Sequence, residues 1–267
     1  MTDLDVSALR AAYDHQLRPE IPDPMPAGVT VERDGPLVRV LGQSSGGFLT
    51  YRDLGGLSGA ELDELIVRQR EIFARRGEPV EWKLVEHDEP ADLGDRLRAA
   101  GFEPQAREAV VVGPVAPLAA VLPVPPEGVR LREVTARADL DRIAELESAV
   151  WGEQRLRVAD MLEKELAAGV DRLTVVVAEE VETGRVVCAG WVRYQAGTRF
   201  ASLWGGATRP EWRGRGIYRA LVTHRARLAD TRGFTLLQVD ASDDSRPILH
   251  RLGFVTITTT TPYVYTP

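Results

Sequence analysis

Apolar and polar positions along the chain follow a strand-helix-strand rhythm that occurs twice. In the second half, Val129–Val134 alternates apolar and charged residues, as a strand with one buried face does. Leu140, Ile143, Leu146, Glu147 and Val150 recur at helical spacing, which predicts a helix capped by Asp139. A second helix is predicted over 157–168, closed by Gly169. Residues 173–180 and 185–194 read as strands joined by the turn-forming Glu182-Thr183-Gly184. A strand over 200–208, a loop, a helix over 217–231 and a strand over 235–240 follow. A short helix over 245–252 and final strands to Val264 complete the order β-α-α-β-β-β-α-β-α-β, a mixed α/β plan.

The first half repeats the later part of that order. Strands are predicted over 29–31, 37–41 and 47–53. Ser58 then caps a helix whose apolar face holds Leu62, Leu65, Ile66, Gln69 and Phe73. A strand over 80–86, a helix over 92–100 and a strand over 109–112 close it. Leu97-Arg-Ala-Ala-Gly101-Phe102 aligns with Leu249-His-Arg-Leu-Gly253-Phe254. A helix-to-strand corner of this kind is common by itself. The shared element order around it, with a period of about 140–150 residues, points to a duplicated domain and not a solenoid. Between the halves, 113–128 holds five prolines in sixteen residues and reads as a semi-rigid connector unable to sustain a helix. The expected division is 1–115, a proline-rich linker 116–128, and 129–267.

Composition narrows the function classes. The chain has 267 residues, 44% hydrophobic and 27% charged, as a globular protein of two domains has. Its net charge of −7 gives no electrostatic footprint for nucleic acid or an anionic membrane, and suits a cationic, amine-bearing substrate. Cys188 is the sole cysteine, so an internal disulfide and a cysteine-rich zinc site are excluded, and no metal is expected. Neither a secretory signal nor an apolar run of about 20 residues is seen. A cytoplasmic protein, monomeric or homodimeric, is expected.

The candidate chemistry lies in Ala207-Thr-Arg-Pro-Glu-Trp-Arg213-Gly-Arg-Gly-Ile-Tyr218, between a strand and a long helix. Gly214 and Gly216 let backbone approach a ligand, and the helix start offers unpaired amides and the positive end of its dipole. A diphosphate suits such a place, and Arg213, Arg215 and Arg219 add positive charge. The Gly-Lys-Ser/Thr of a nucleotide-binding P-loop is absent. A dinucleotide fingerprint needs a third glycine near 219, where Arg219 stands. An arginine-rich loop that merely solvates a helix start is the structural alternative.

Arg213-Gly-Arg-Gly-Ile-Tyr218 resembles the Arg/Gln-x-x-Gly-x-Gly/Ala signature of the GNAT superfamily of acyl-CoA N-acyltransferases. The preceding Ala207-Thr-Arg-Pro-Glu211 and the later 242–254 are similar to that superfamily's flanking elements, so the likeness spans about 129–265. It implies two GNAT-like domains in tandem, each a twisted mixed sheet flanked by helices. It also implies an opening between the strands ending near Thr208 and Asp240, where pantetheine pairs with Ala207 and Thr208. Acetyl-CoA is then the co-substrate, its pyrophosphate on the amides of Gly214, Arg215, Gly216, Ile217 and Tyr218, with Arg213 as a further cofactor contact. Tyr218 departs from the signature, which has Gly or Ala there; only its amide is expected to contribute. In the first half the matching loop, 53–61, has glycines but no arginine, while Asp53 and Glu61 repel a diphosphate. That copy is expected to be degenerate and without CoA.

Aminolysis of a thioester requires a base near the amine, an oxyanion donor and an acid near sulfur. Gly205 and Gly206 suit a strand bulge presenting an amide, or close packing of a neighbour. The resemblance implies a tyrosine acid one turn before the Gly-Phe corner, but Leu249 stands there. Ser242 and Ser245 are candidates for contacting the carrier or its sulfur, with helix capping as the alternative, and His250 is expected at the surface. Glu147 is the leading candidate base, because an inward carboxylate gains proton affinity; the alternative is a glutamate at the stripe edge. Asp240 is the second candidate, or else a loop cap. Trp151 and Trp204 are candidates for the acceptor pocket or for core. The expected activity is direct transfer of acetyl from acetyl-CoA to a primary amine of a small molecule, such as a cationic antibiotic or related metabolite. A silent CoA-binding sensor or scaffold, and a protein or peptide N-acetyltransferase, are the alternatives.

Overall fold

A computed structural model describes residues 5–18, 28–43, 46–152, 157–169 and 171–267. In chain order the elements are α1 (Val6–Gln16), β1 (Thr30–Asp34), β2 (Leu37–Leu41), β3 (Gly47–Thr50), α2 (Gly59–Arg76), β4 (Val80–Val85) and α3 (Leu93–Ala99). Next come β5 (Glu103–Pro104), β6 (Glu108–Pro114), α4 (Val115–Ala119), β7 (Val129–Val134), α5 (Arg137–Trp151) and α6 (Val158–Ala168). The last are β8 (Leu173–Glu180), β9 (Val186–Tyr194), β10 (Phe200–Thr208), α7 (Ile217–Thr231), β11 (Leu236–Ala241), α8 (Arg246–Arg251) and β12 (Val255–Tyr265).

The chain divides into two compact units, and not contiguously. The first takes the described residues up to Val111 together with Asp240–Arg246 and Val255–Pro267; the second takes Val112–Val239 and Pro247–Phe254. The C-terminal stretch is one strand, β12, and lies in the first unit. Sequence order cannot show this, because a strand's partners are chosen by pairing across the sheet.

In the first unit the strands run β1-β2-β3-β4-β12, with β5 also on β12. β1/β2 and β2/β3 are antiparallel, and β3/β4 is parallel with α2 as the crossover. Antiparallel β12 sets Thr260 opposite Val85 and Tyr265 opposite Val80. The periodic face of α2 is the one expected: Leu62, Leu65, Ile66, Gln69 and Phe73 are its buried residues. Gln69 is tolerated there because it bonds Arg39, Asp34 and the Leu65 carbonyl. Ser58 occupies the N-cap position of α2 but makes no side-chain cap bond. Helix α1 is additional to the sequence reading. Asp5 caps it by accepting the Ala8 amide at 3.1 Å, and Leu9, Ala12 and Tyr13 are buried at helical spacing.

In the second unit the order is β7-β8-β9-β10-β11, antiparallel until β10/β11, which is parallel with α7 as the crossover. Both units thus carry an antiparallel ribbon, a crossover helix and a parallel strand. Their helix-to-strand corners agree in detail. Phe102 N donates to Leu97 O at 3.0 Å and Phe254 N to Leu249 O at 3.1 Å. The intervening Gly101 and Gly253 have φ of +89° and +92°, a region that excludes most side chains.

Alternation along the strands of the second unit splits the apolar residues between two faces. Val175, Val177, Ala189, Trp191 and Ala207 pack against Leu140, Ile143 and Leu146 of α5 and Leu162 of α6. Val176, Ala178, Val187 and Cys188 pack against Ile217 and Leu221 of α7. Helix α5 begins at Arg137 behind Ala136, so Asp139 is not its cap. Arg132 binds Asp139 at 2.7 and 2.9 Å, and Arg142 also reaches it. The proline-rich segment does hold a short helix, α4. Pro117 lies in its first turn, where no amide proton is required.

Candidate functional site

The loop after β10 turns through a 3₁₀ segment, Pro210–Trp212, and enters α7 at Gly216. Gly214 and Gly216 have φ of +73° and +82°, and nothing lies within 4 Å of where a Gly214 Cβ would stand. Two glycines in the left-handed region roll the backbone so that successive amides face outward. Ala220 N donates to Gly216 O at 3.0 Å. The amides of Gly214, Arg215, Gly216, Ile217, Tyr218 and Arg219 donate to no acceptor among the described residues. This is an anion-binding arrangement built from main chain. Arg215 lies over the Trp212 ring at 4.8 Å, and Arg213 Nε donates to Thr208 O at 3.1 Å. Neither they nor Arg219 is ion-paired among the described residues, so their charge is available to a ligand.

β10 leaves its neighbour at this end. Its parallel pairing with β11 runs from Phe200↔Leu236 to Ser202↔Gln238 and stops, while pairing with β9 continues to Thr208↔Cys188. The β9 register shifts between Gly205 and Ala207, so the two glycines form a bulge. Their φ values are +71° and +95°; a Cβ on Gly205 would meet Trp191 Cζ3 at 2.6 Å, and one on Gly206 would meet Tyr218 Cε2 at 2.8 Å. Ala207 is buried and Thr208 half-buried beside the bulge; Thr208 Oγ1 donates to Cys188 Sγ at 3.1 Å. Burial pushes the Cys188 thiol up to about 11, so it supplies no thiolate near neutral pH.

One side chain beneath the bulge was not singled out from the sequence, and a second, Tyr218, was expected to contribute only its amide. Arg225 is 1% exposed; its Nη1 donates to Trp191 O at 3.1 Å and to Trp204 O at 3.0 Å. Only the absence of a side chain at Gly190 makes room, since a Cβ there would lie 2.8 Å from that nitrogen. Tyr218 turns its ring toward Gly206. Burial raises the Tyr218 phenol, opposed by the Arg225 charge. The readable signal was an arginine on the apolar stripe of α7, four residues past Leu221.

The candidate acid and base residues separate. Glu147 is inward on α5, 3% exposed, and its charge acts on Cys188. Asp240, at the end of β11, belongs to the first unit and is ion-paired with Lys83 there. Burial pulls the Lys83 ammonium down, but the charges of Asp240, Tyr13, Glu81 and Glu108 outweigh it, so the lysine stays protonated. Ser242 and Ser245 bond each other at the start of α8: Ser245 N donates to Ser242 Oγ at 3.4 Å, and Ser245 Oγ to Ser242 O at 3.3 Å. Leu249 is fully buried and His250 exposed. Trp151 and Trp204 are 54% and 41% exposed, unlike core aromatics. Trp204 is held by Nε1 donating to Ser202 Oγ at 2.9 Å and by Arg193 at 4.5 Å over its ring, with Arg193 bound to Glu165 at 2.7 Å.

In the first unit, the loop between β3 and α2 has its Gly55 amide taken by Asp53 Oδ1 at 2.9 Å. A cavity of about 430 Å³ beside it is lined by four carboxylates (Asp14, Asp53, Asp88, Glu89) against Arg18 and Arg52. Among the described residues no cluster of three His, Cys, Asp or Glu is placed to hold a metal. Among them, too, no helix is long and apolar enough to cross a membrane.

Comparison with known proteins matches residues 140–254 to the acetyltransferase (GNAT) family. No curated protein sequence matches the chain. Among solved structures, a GCN5-related N-acetyltransferase from Kribbella flavida is similar at 16% identity and a TM-score of 0.69, over 98% of this chain and 96% of that one. A tandem GNAT protein from the clavulanic acid biosynthesis pathway is 17% identical with a TM-score of 0.65, over 97% and 94%. A GCN5-related N-acetyltransferase from Sphaerobacter thermophilus is 14% identical with a TM-score of 0.60, over 97% and 91%. At these identities the likeness establishes the fold.

Proposed function

We propose that this chain, whose residues 140–254 match the acetyltransferase (GNAT) family, moves acetyl from acetyl-CoA to a primary amine of a small molecule. The transfer is direct, with donor and acceptor bound together. What carries this reading is the run of six unengaged amides from Gly214 to Arg219, next to a strand that parts from its parallel neighbour. The pyrophosphate lies on those amides and beside Arg213 and Arg215, and the pantetheine follows Ala207 and Thr208 toward the bulge.

The sole cysteine is buried and held as a thiol, which favours direct attack over an acyl-cysteine intermediate. Glu147, inward on α5 and 3% exposed, is the base that takes the amine proton. Trp204 and Trp151 offer exposed aromatic faces to the acceptor, and the net charge of −7 favours a cationic one. The first unit, with Asp53 occupying its loop amide, does not hold CoA. Calorimetry with acetyl-CoA tests this reading: one site per chain is expected, and no binding, or two equivalent sites, refutes it.

A further inference from the structure

Trp204 lies two residues past Ser202, where the pairing of β10 with β11 stops, and one residue before the Gly205–Gly206 bulge, so it borders the opening between the two strands. A lone exposed aromatic needs no explanation, but this one is immobilised. Its Nε1 donates at 2.9 Å to Ser202 Oγ, and that serine, 2% exposed, also accepts Gln195 Nε2 at 3.1 Å. The register Trp204↔Trp191 and Ser202↔Arg193 puts Arg193 diagonally across on the same face, with its guanidinium 4.5 Å over the indole. Glu165 of α6 grips that guanidinium by two bonds, 2.8 Å from Nε and 2.7 Å from Nη2. The indole nonetheless stays 41% exposed. A flat apolar surface already ordered in the free protein binds a ligand without the entropy cost of ordering it.

One face of the ring already carries a cation, which draws on the π density a second cation would use. What remains for a ligand is area on which a flat, neutral ring can stack. We propose that Trp204 determines acceptor specificity, and that the acceptor is a primary amine on a short chain from such a ring. Arg193 and Glu165 are positioning residues that hold the indole. This rests on the acyl-CoA reading above and names the acceptor class within it. A strand advances about 3.3 Å per residue, so a ring on Trp204 stands about two or three carbons from an amine that reaches a thioester at the bulge. The net charge of −7 draws the ammonium in, and the indole selects what is attached to it. A polyamine, with a cation where the ring should lie, gains nothing from Trp204.

The wild type is compared on 2-phenylethylamine, 2-cyclohexylethylamine and spermidine by thiol release from acetyl-CoA. The first two match in length and apolar bulk, and only the phenyl ring is flat. The phenyl amine should have a kcat/KM about fivefold above the cyclohexyl amine, with the difference in KM, and should exceed spermidine as well. Trp204→Leu should bring the phenyl and cyclohexyl amines within about twofold of each other, and Trp204→Phe should keep the preference. Arg193→Met should narrow the preference and add nothing in the Trp204→Leu background. Equal kcat/KM for the phenyl and cyclohexyl amines in the wild type, a preference for spermidine, or a ring preference that survives Trp204→Leu overturns the assignment. Losses in Arg193→Met shared equally by all three amines overturn its positioning role. Thiol released with hydroxylamine but with none of the three amines overturns the acceptor class alone. A wild type that releases no thiol with any of the four refutes the acyl-CoA reading, and the acceptor site with it.

Discussion

Arg225 donates from Nη1 to the carbonyl oxygen of Trp204 at 3.0 Å, from a side chain 1% exposed. Trp204 is the residue before the Gly205–Gly206 bulge, so a buried cation on α7 holds the strand where its register shifts. Burial pulls Arg225 below the ordinary guanidinium range, with Tyr218 and Cys188 opposing, and an arginine still keeps its proton. The fold accepts this desolvation because three carbonyls replace the water.

Replacing that cation by an apolar residue of similar length isolates the tether. Arg225→Met should lower unfolding stability by about 2 kcal/mol, because the Trp191 and Trp204 carbonyls lose their shared donor. Urea unfolding with an unchanged midpoint would mean that water substitutes for the guanidinium.

The bulge itself is set by glycine. Gly205→Ala places a Cβ 2.6 Å from Trp191 Cζ3 at a φ of +71°, combining overlap with backbone strain. The melting temperature should fall by an amount equivalent to about 2 kcal/mol or more. An undisturbed melting curve would show that Trp191 has room to move.

At the loop, Gly216→Glu puts a carboxylate and a strained φ at the start of α7. Acetyl-CoA affinity should weaken by about 3 kcal/mol, more than a hundredfold in Kd. Unchanged binding by calorimetry would remove the pyrophosphate from this helix start.

Glu147→Gln should reduce turnover at neutral pH by about tenfold or more while leaving acetyl-CoA affinity alone. A variant with full kcat takes Glu147 out of the mechanism and leaves it as an interior residue of α5.

Acid should weaken the second unit through Asp139. The hydrogen bond from Arg132, aided against burial by one from Arg142, lowers its pKa from 3.8 to about 2. A depressed carboxylate contributes stability that is present above about pH 4 and lost as pH falls toward 2. The amount is about 1–2 kcal/mol, and Asp139→Asn should flatten the stability profile over that window. A variant as acid-sensitive as the wild type would assign the loss to other carboxylates.

By itself the sequence determined the strand-helix rhythm of both halves, the buried face of α2, the glycine bulge and the loop entering α7. Each depends on residues a few positions apart: periodicity, a cap, or a glycine where φ is positive. The proline-rich segment misled because Pro117 falls in the one turn of α4 that does not need its amide. The tertiary structure alone decided that β12 joins the first unit, that Lys83 engages Asp240, 157 residues away, and that Arg225 reaches the Trp191 and Trp204 carbonyls under the bulge. Those are contacts between different elements, fixed by which sheet edge and helix face come together once the chain has closed, and no local pattern encodes them.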